Sequence, residues 1–255
     1  MWHNFTTMLD AKSLTRIYFP GEIPVHGECM LPPDQAHHVA RVLRLAVGEA
    51  VTLFDGEGAE YSAVIARIAK PGVTLNVGER RAVDRESPLQ VVLAQAISSG
   101  ERMDYTVQKA VELGVARIQP LGSERSVVRL DSSRAEKRVA HWRAIAIAAC
   151  EQCGRNRVPQ VLPVLSFSSW IGRRTEHDGV RVMLSPHAQV NLRDLPRPSA
   201  MVTLLAGPEG GYSLEEQRDA ETAGFTPVRL GPRVLRTETA ALAALAALQA
   251  LWGDY

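Results

Sequence analysis

The chain has 255 residues, enough for one large domain or two smaller ones. Its 45% apolar and 22% charged residues are an ordinary globular balance, and a formal net charge of +1 means that any basic, nucleic-acid-binding surface must be local. Three cysteines exclude a disulfide framework, no apolar run approaches the ~18 residues of a membrane span, and the N-terminus lacks a basic start followed by an apolar core, so a cytoplasmic protein is expected.

Residues 1–13 read as a loose extension. A short extended segment follows at 16–19. A helix is expected at 33–45, with Pro33 near its start and apolar Ala36, Val39, Ala40, Val42 and Leu43 along it. Residues 50–54 alternate and run into Asp55-Gly56-Glu57-Gly58, a turn signal; strands at 60–68 and 73–77 flank Lys70-Pro71-Gly72. Short strands with tight turns suggest a small barrel.

The sequence DRESP at 84–88 marks a linker, and the rhythm then changes to alternating strand and helix. Strands are expected at 89–96, 117–121, 180–184, 201–206 and 226–230. Helices are expected at 102–113, 133–153 and 240–252, with Gly114 closing the first. This alternation implies an α/β fold with a mostly parallel sheet covered on both faces.

Four segments carry chemistry. Gly207-Pro-Glu-Gly-Gly211 joins the end of an apolar strand to the capping box Ser213-Leu-Glu-Glu216, the place where open α/β sheets bind ligands; a tight turn is the structural alternative. The loop fits neither the dinucleotide fingerprint nor the Walker A pattern. Leu230-Gly-Pro-Arg-Val-Leu-Arg-Thr-Glu-Thr-Ala240 leads into an almost wholly apolar helix that Thr237 or Thr239 could cap. Arg236 there is either an ion-pair partner or a functional cation. Leu184-Ser-Pro-His187 is a third strand-end loop, weak alone. Between Arg125 and Arg157, eight basic residues stand against Asp131, Glu136 and Glu151, which reads as a phosphate footprint or as a solvated helix face. Cys150 and Cys153 form a CxxC without a second ligand pair, and helix packing explains them better than a metal does.

Taken together, these motifs resemble the ribosomal RNA small subunit methyltransferase E family of the SPOUT superfamily. Further matches are His37-His38-Val39 with Val42-Leu43-Arg44, Arg102-Met103-Asp104, Gln108-Lys109-Ala110 with Glu112-Leu113-Gly114, Glu151-Gln152-Cys153-Gly154-Arg155, and Val158-Pro159. The resemblance runs from about Arg16 to the C-terminus. It departs at Ser98-Ser99-Gly100-Glu101, where many relatives carry Lys before the acidic residue.

The resemblance implies a PUA-like RNA-binding barrel at 14–84 and a trefoil-knotted SPOUT methyltransferase domain at 85–255, which nothing in the residue pattern itself foretells. It implies a homodimer that uses S-adenosylmethionine to methylate N3 of a uridine in 16S ribosomal RNA of the small subunit, with no metal. The cofactor would be held by Leu184, Ser185, Pro186, Leu205, Gly207, Pro208, Glu209, Gly210, Gly211, Leu230, Gly231, Val234, Leu235, Arg236, Thr237 and Thr239. RNA would be held by Arg16, His37, His38, Arg41, Arg44, Arg102, Lys109, Arg125, Arg155 and Arg157. Arg236 is the first candidate to stabilise negative charge on the uracil, with Arg16 a second, reaching from the barrel. Glu209 is the third catalytic candidate; the proton acceptor stays open, since Glu209 and Glu238 are the nearest carboxylates in the motifs and each could instead hold backbone amides or Arg236.

Overall fold

The computed structural model describes residues 14–70, 72–126, 131–173, 179–199 and 201–255. The chain divides into two units. One runs up to Arg85 and takes in Cys150–Val158; the other comprises Glu86–Ala149 and Pro159–Tyr255. The expected extension at 1–13 and Arg129 of the basic stretch lie outside the described residues.

In the first unit, β1 (Thr15–Tyr18), β2 (Glu28–Met30), β3 (Ala50–Phe54), β4 (Ala59–Ala69) and β5 (Gly72–Ala82) form one sheet in the order β1-β3-β4-β5-β2. The β1–β3 pair is parallel and the others antiparallel. Asp55 makes the β3–β4 turn: its Oδ1 accepts the amides of Glu57, Gly58 and Ala59. Alternation buries Val51 and Leu53 with Ile65 and Leu75 in one core. The helix expected at 33–45 is shorter: α1 (Pro33–His37) passes into a π-helical turn, His38–Val42, and Arg44 follows at φ +53°. Only Ala36 and Val39 of this stretch are fully buried, which leaves a long helix no apolar face to pack. The segment β2 carries no period that would announce it.

The second unit is built on β6 (Gln90–Ala96), β7 (Arg117–Gly122), β8 (Gln160–Val161), β9 (Leu165–Ser166), β10 (Val180–Leu184), β11 (Val190–Asn191), β12 (Met201–Ala206) and β13 (Thr226–Arg229). All pair in parallel, in the order β11-β13-β10-β12-β6-β7-β8, with β9 on β7. The central strands β6 and β12 are apolar at most positions, with consecutive residues buried, because both faces are covered. The covering helices are α2 (Arg102–Glu112), α3 (Ser132–Cys153), α4 (Phe167–Ile171), α5 (Leu214–Thr222) and α6 (Thr237–Trp252). Helices α2 and α6 pack on each other, and α6 also meets β6 and β12; α4 and α5 pack together. Phe167, Tyr212, Phe225 and Met183 belong to one cluster with Ala94, Leu121 and Leu205. The last turn of α3 and the loop after it, Cys150–Val158, belong to the first unit.

Strand order fixes the site. From β10 the chain reaches β12 on one side and then returns as β13 on the other side of β10. Such a reversal opens a crevice at the carboxyl ends of the strands.

Candidate active site

The three loops that leave β10, β12 and β13 meet around a cavity of about 700 Å³. That volume suits a small-molecule ligand. Its walls include Leu184, Ser185, Pro186 and His187 after β10, and Gly207, Pro208, Glu209, Gly210, Gly211 and Tyr212 after β12. Leu230, Arg233, Val234, Leu235, Arg236, Thr237 and Glu238 follow β13. Arg102 and Arg125 also line it.

The glycine loop is shaped by several ties. Gly211 takes φ +66°, and its amide donates to Pro208 O at 2.9 Å, closing the turn. A Cβ on Gly207 would sit 3.3 Å from the Tyr212 ring, whose hydroxyl donates to Ala206 O. Beyond the turn, Ser213 caps α5 reciprocally with Glu216, as the sequence pattern predicts.

A buried relay joins this loop to the next. Gln95, at the end of β6 and wholly buried, donates through Nε2 to Ala96 O at 3.0 Å and Thr237 Oγ1 at 3.1 Å. The Thr237 hydroxyl in turn donates to Gly207 O. Thr237 therefore does not cap α6 as expected, and neither does Thr239. The N-cap is Arg236, without a side-chain hydrogen bond, and Thr237 is the first helical residue with its hydroxyl turned inward. Gln95 was missed in the sequence. Its signal was an amide inside an apolar strand run, a group that must find partners within the fold.

Glu209 is also tied down. Its Oε1 accepts from the Ser99 amide at 2.9 Å, the Ser99 hydroxyl at 2.9 Å and Arg102 Nη1 at 2.7 Å. Burial raises its pKa, but these hydrogen bonds and one from its own amide outweigh that and hold it at about 2. Ser99, in the segment 98–101, is thus a partner of the glycine loop. On the outer side of the loop, Arg125 Nη1 donates to Gly210 O at 3.2 Å.

Arg236 differs from these residues. It is exposed at the cavity and has neither an ion pair nor a side-chain hydrogen bond among the described residues. Of the two readings of Arg236, the ion-pair partner is the one that the contacts do not support.

Several expected site residues lie elsewhere. Leu205 is fully buried in the core of the second unit; the neighbouring Ala206 faces the cavity instead. Gly231 forms the turn after β13 at φ +80°, and Thr239 is exposed on α6; neither is among the cavity walls.

Arg16 is not a free cation. Its Nη1 donates to Glu60 at 3.0 Å, its Nη2 donates to Asn156 Oδ1 and to Arg155 O, and its guanidinium lies over the Phe54 ring. Only 11% of the side chain is exposed. Burial raises the Glu60 pKa, but hydrogen bonds from Arg85, Arg16 and Asn156 outweigh it and leave the pKa lowered. The charge expected to act on substrate is therefore used inside the first unit, because an exposed role would leave Glu60 buried with less compensation. Arg155 is buried in the same way, so it offers no charge to RNA.

The remaining RNA-binding candidates are accessible. His37, His38, Arg41 and Arg44 are exposed together on and after α1, and Arg157 is exposed. Lys109 pairs with Glu112. Within the basic stretch, Arg134 pairs with Asp131 and Arg143 donates to Val161 O, so part of the local charge is spent on structure.

Comparison with known proteins agrees with this architecture. A family described as RNA methyltransferase domain matches residues 85–249, and one described as RNA methyltransferase PUA domain matches residues 31–78. Ribosomal RNA small subunit methyltransferase E of Buchnera aphidicola from Acyrthosiphon pisum is 31% identical over 250 residues, 98% of each chain. The Bacillus subtilis protein of that name is 34% identical, over 84% of this chain and 87% of its own. A putative methyltransferase of Legionella pneumophila, solved with bound S-adenosylmethionine, superposes with a TM-score of 0.91 at 44% identity, covering 95% of this chain and 99% of its own. Ribosomal RNA small subunit methyltransferase E of Neisseria gonorrhoeae, solved bound to S-adenosylmethionine, gives 0.88 at 42% with the same coverage. On sequence along almost its whole length and on fold, the chain belongs to the ribosomal RNA small subunit methyltransferase E family.

Proposed function

We propose that this protein transfers the methyl group of S-adenosylmethionine to N3 of a specific uridine in 16S ribosomal RNA of the small subunit, acting in the cytoplasm as a homodimer. The observation that carries this reading is an Arg236 without a partner among the described residues, on a cavity formed by three strand-end loops. The residues fit the cofactor. Met183, Leu184, Val228, Leu230 and Leu235 supply apolar wall for an adenine, and the bare backbone of Gly207, Gly210 and Gly211 lets a ligand approach closely. When bound, S-adenosylmethionine supplies an electrophilic methyl group on a positively charged sulfur.

The protein's own task is positioning and charge. The three loops would hold the cofactor in one orientation for the incoming nitrogen, which lowers the entropic part of the barrier. Deprotonated uracil spreads negative charge onto both carbonyl oxygens that flank N3, and Arg236 offers several coplanar donors to one of them. The base must leave any stack or pair to reach this position. Glu209, held at about 2, stays ionised and keeps the glycine loop in place through Ser99 and Arg102. The exposed cluster of His37, His38, Arg41 and Arg44, together with Arg157, is the RNA-facing surface in this reading, with Arg102, Lys109 and Arg125 serving the catalytic unit.

The test is methyl transfer from labelled cofactor to small subunits that lack the modification, with mass spectrometry of the digested nucleosides. The expected product is 3-methyluridine. A ribose-methylated nucleoside, transfer to transfer RNA instead, or failure to bind the cofactor at all would overturn the reading.

A further inference from the structure

Methylation of uracil at N3 needs a proton acceptor as well as a methyl donor. The electron pair that attacks is the one that bonds N3 to hydrogen. Among the described residues, the carboxylates and imidazole on the cavity are Glu209, Glu238 and His187. Glu209 is engaged by Ser99 and Arg102 and is a weak base.

Glu238 has the opposite surroundings. It is the second residue of α6, two positions after Arg236. Its nearest cation, Arg102 Nε, lies 3.9 Å from Oε1, beyond hydrogen-bond reach. Its Oε2 is buried and has no donor among the described residues. The side chain is 17% exposed, on the cavity. A buried acceptor without a donor is a cost to the fold that most proteins avoid, and such groups recur where chemistry uses them. Arg102 could have satisfied Glu238, but its Nη1 is held 2.7 Å from Glu209. Arg102 therefore spans the two carboxylates, hydrogen-bonded to Glu209 and only in ion-pair range of Glu238.

We infer that Glu238 is the proton acceptor of the reaction, an inference that rests on the uridine-N3 reading above. N3 lies between the two carbonyl carbons, so a base bound to Arg236 through O2 or O4 turns its N3–H toward a group beside Arg236. In the step, the N3–H bond breaks and its proton goes to the Glu238 carboxylate. Its electron pair forms the N3–methyl bond, and the methyl–sulfur bond breaks with its pair left on sulfur as a neutral thioether.

The experiment compares small subunits reconstituted from 16S RNA transcribed with uridine or with 5-fluorouridine, whose N3 proton is more acidic. Wild-type product on uridine is established first, so failure of the parent reading shows before any variant is compared. Glu238→Gln is expected to bind S-adenosylmethionine within about two-fold of wild type by calorimetry and to lose about 100-fold or more in kcat on uridine. On the fluorinated RNA its loss is expected to be about ten-fold smaller, because less proton-accepting power is needed. Glu238→Asp keeps a carboxylate and is expected to hold the wild-type ratio between the two RNAs, which guards against misreading a folding defect. Equal losses on both RNAs, or a substrate-selective loss in His187→Gln instead, would overturn the assignment.

Discussion

Arg16 and Arg236 are the same residue type offered for the same task, and their surroundings divide them. In the first unit, Arg16 is enclosed: Glu60, Asn156, the Arg155 carbonyl and the Phe54 ring use its charge and its face. In the second unit, Arg236 stands at the start of α6 with no partner among the described residues. An arginine whose terminal nitrogens are held by a carboxylate, an amide and a carbonyl stabilises; one left open on a cavity is available to charge that develops during a reaction. The distinction can be broken or sharpened by substitution.

The largest effect is expected from Arg236→Ala. Turnover should fall about 100- to 1,000-fold, with cofactor affinity and thermal stability near wild type. Near-normal turnover with the cofactor bound would remove Arg236 from the chemistry. Gly207→Val should act on binding instead. Its side chain would press on the Tyr212 ring from a starting Cβ distance of 3.3 Å, and cofactor affinity measured by calorimetry should fall at least about ten-fold. Unchanged affinity would move the cofactor away from this loop.

Arg16→Ala should reverse the Arg236 pattern. It leaves the mostly buried Glu60 with Arg85 and Asn156 alone, and should cost about 2–3 kcal/mol in chemical denaturation. Methylation in the surviving folded protein should change far less. A stable but inactive Arg16→Ala would restore the expectation of a direct catalytic role.

The smallest effect is a pH dependence. The Glu209 pKa is lowered to about 2 from the usual 4.5, so its contribution to stability is complete above about pH 4.5 and is lost as pH falls toward 2. The acid limb of the stability curve should flatten in Glu209→Gln, measured by thermal unfolding between pH 5 and about 2. An identical acid limb in the two proteins would mean that Ser99 and Arg102 do not hold this carboxylate in solution.

How much of this was readable in advance depended on the range of the interaction. The strands at 50–54, 180–184 and 201–206 were legible to the residue, because turn chemistry or a change of apolar period marks both ends. The capping box at Ser213 is equally local. The helix at 33–45 was overextended because its apolar residues do not share one buried face, and burial is a tertiary fact. Thr237 looked like a cap because the Gly207 carbonyl that claims its hydroxyl lies thirty residues earlier. Arg16 looked free because Asn156 lies 140 residues away. The glycine loop and Arg236 were legible as a site, whereas Gln95, Ser99 and the division of labour between Glu209 and Glu238 required coordinates.

The return of Cys150–Val158 to the first unit has a consequence for how the protein is made. Asn156 fills Arg16 and Glu60 and donates to Val83 O, and the backbone near Gly56 bridges to Arg157. The N-terminal unit is thus finished by residues translated some seventy positions after its own sheet ends. Domains often fold as they emerge from the ribosome, N-terminal part first. Here the nascent sheet must hold Glu60 with Arg16 and Arg85 alone, and Arg16 Nη2 must wait for its acceptors, until the end of α3 and the loop after it have been synthesised. A fragment cut at Arg85 would carry the whole sheet and still lack its final strap.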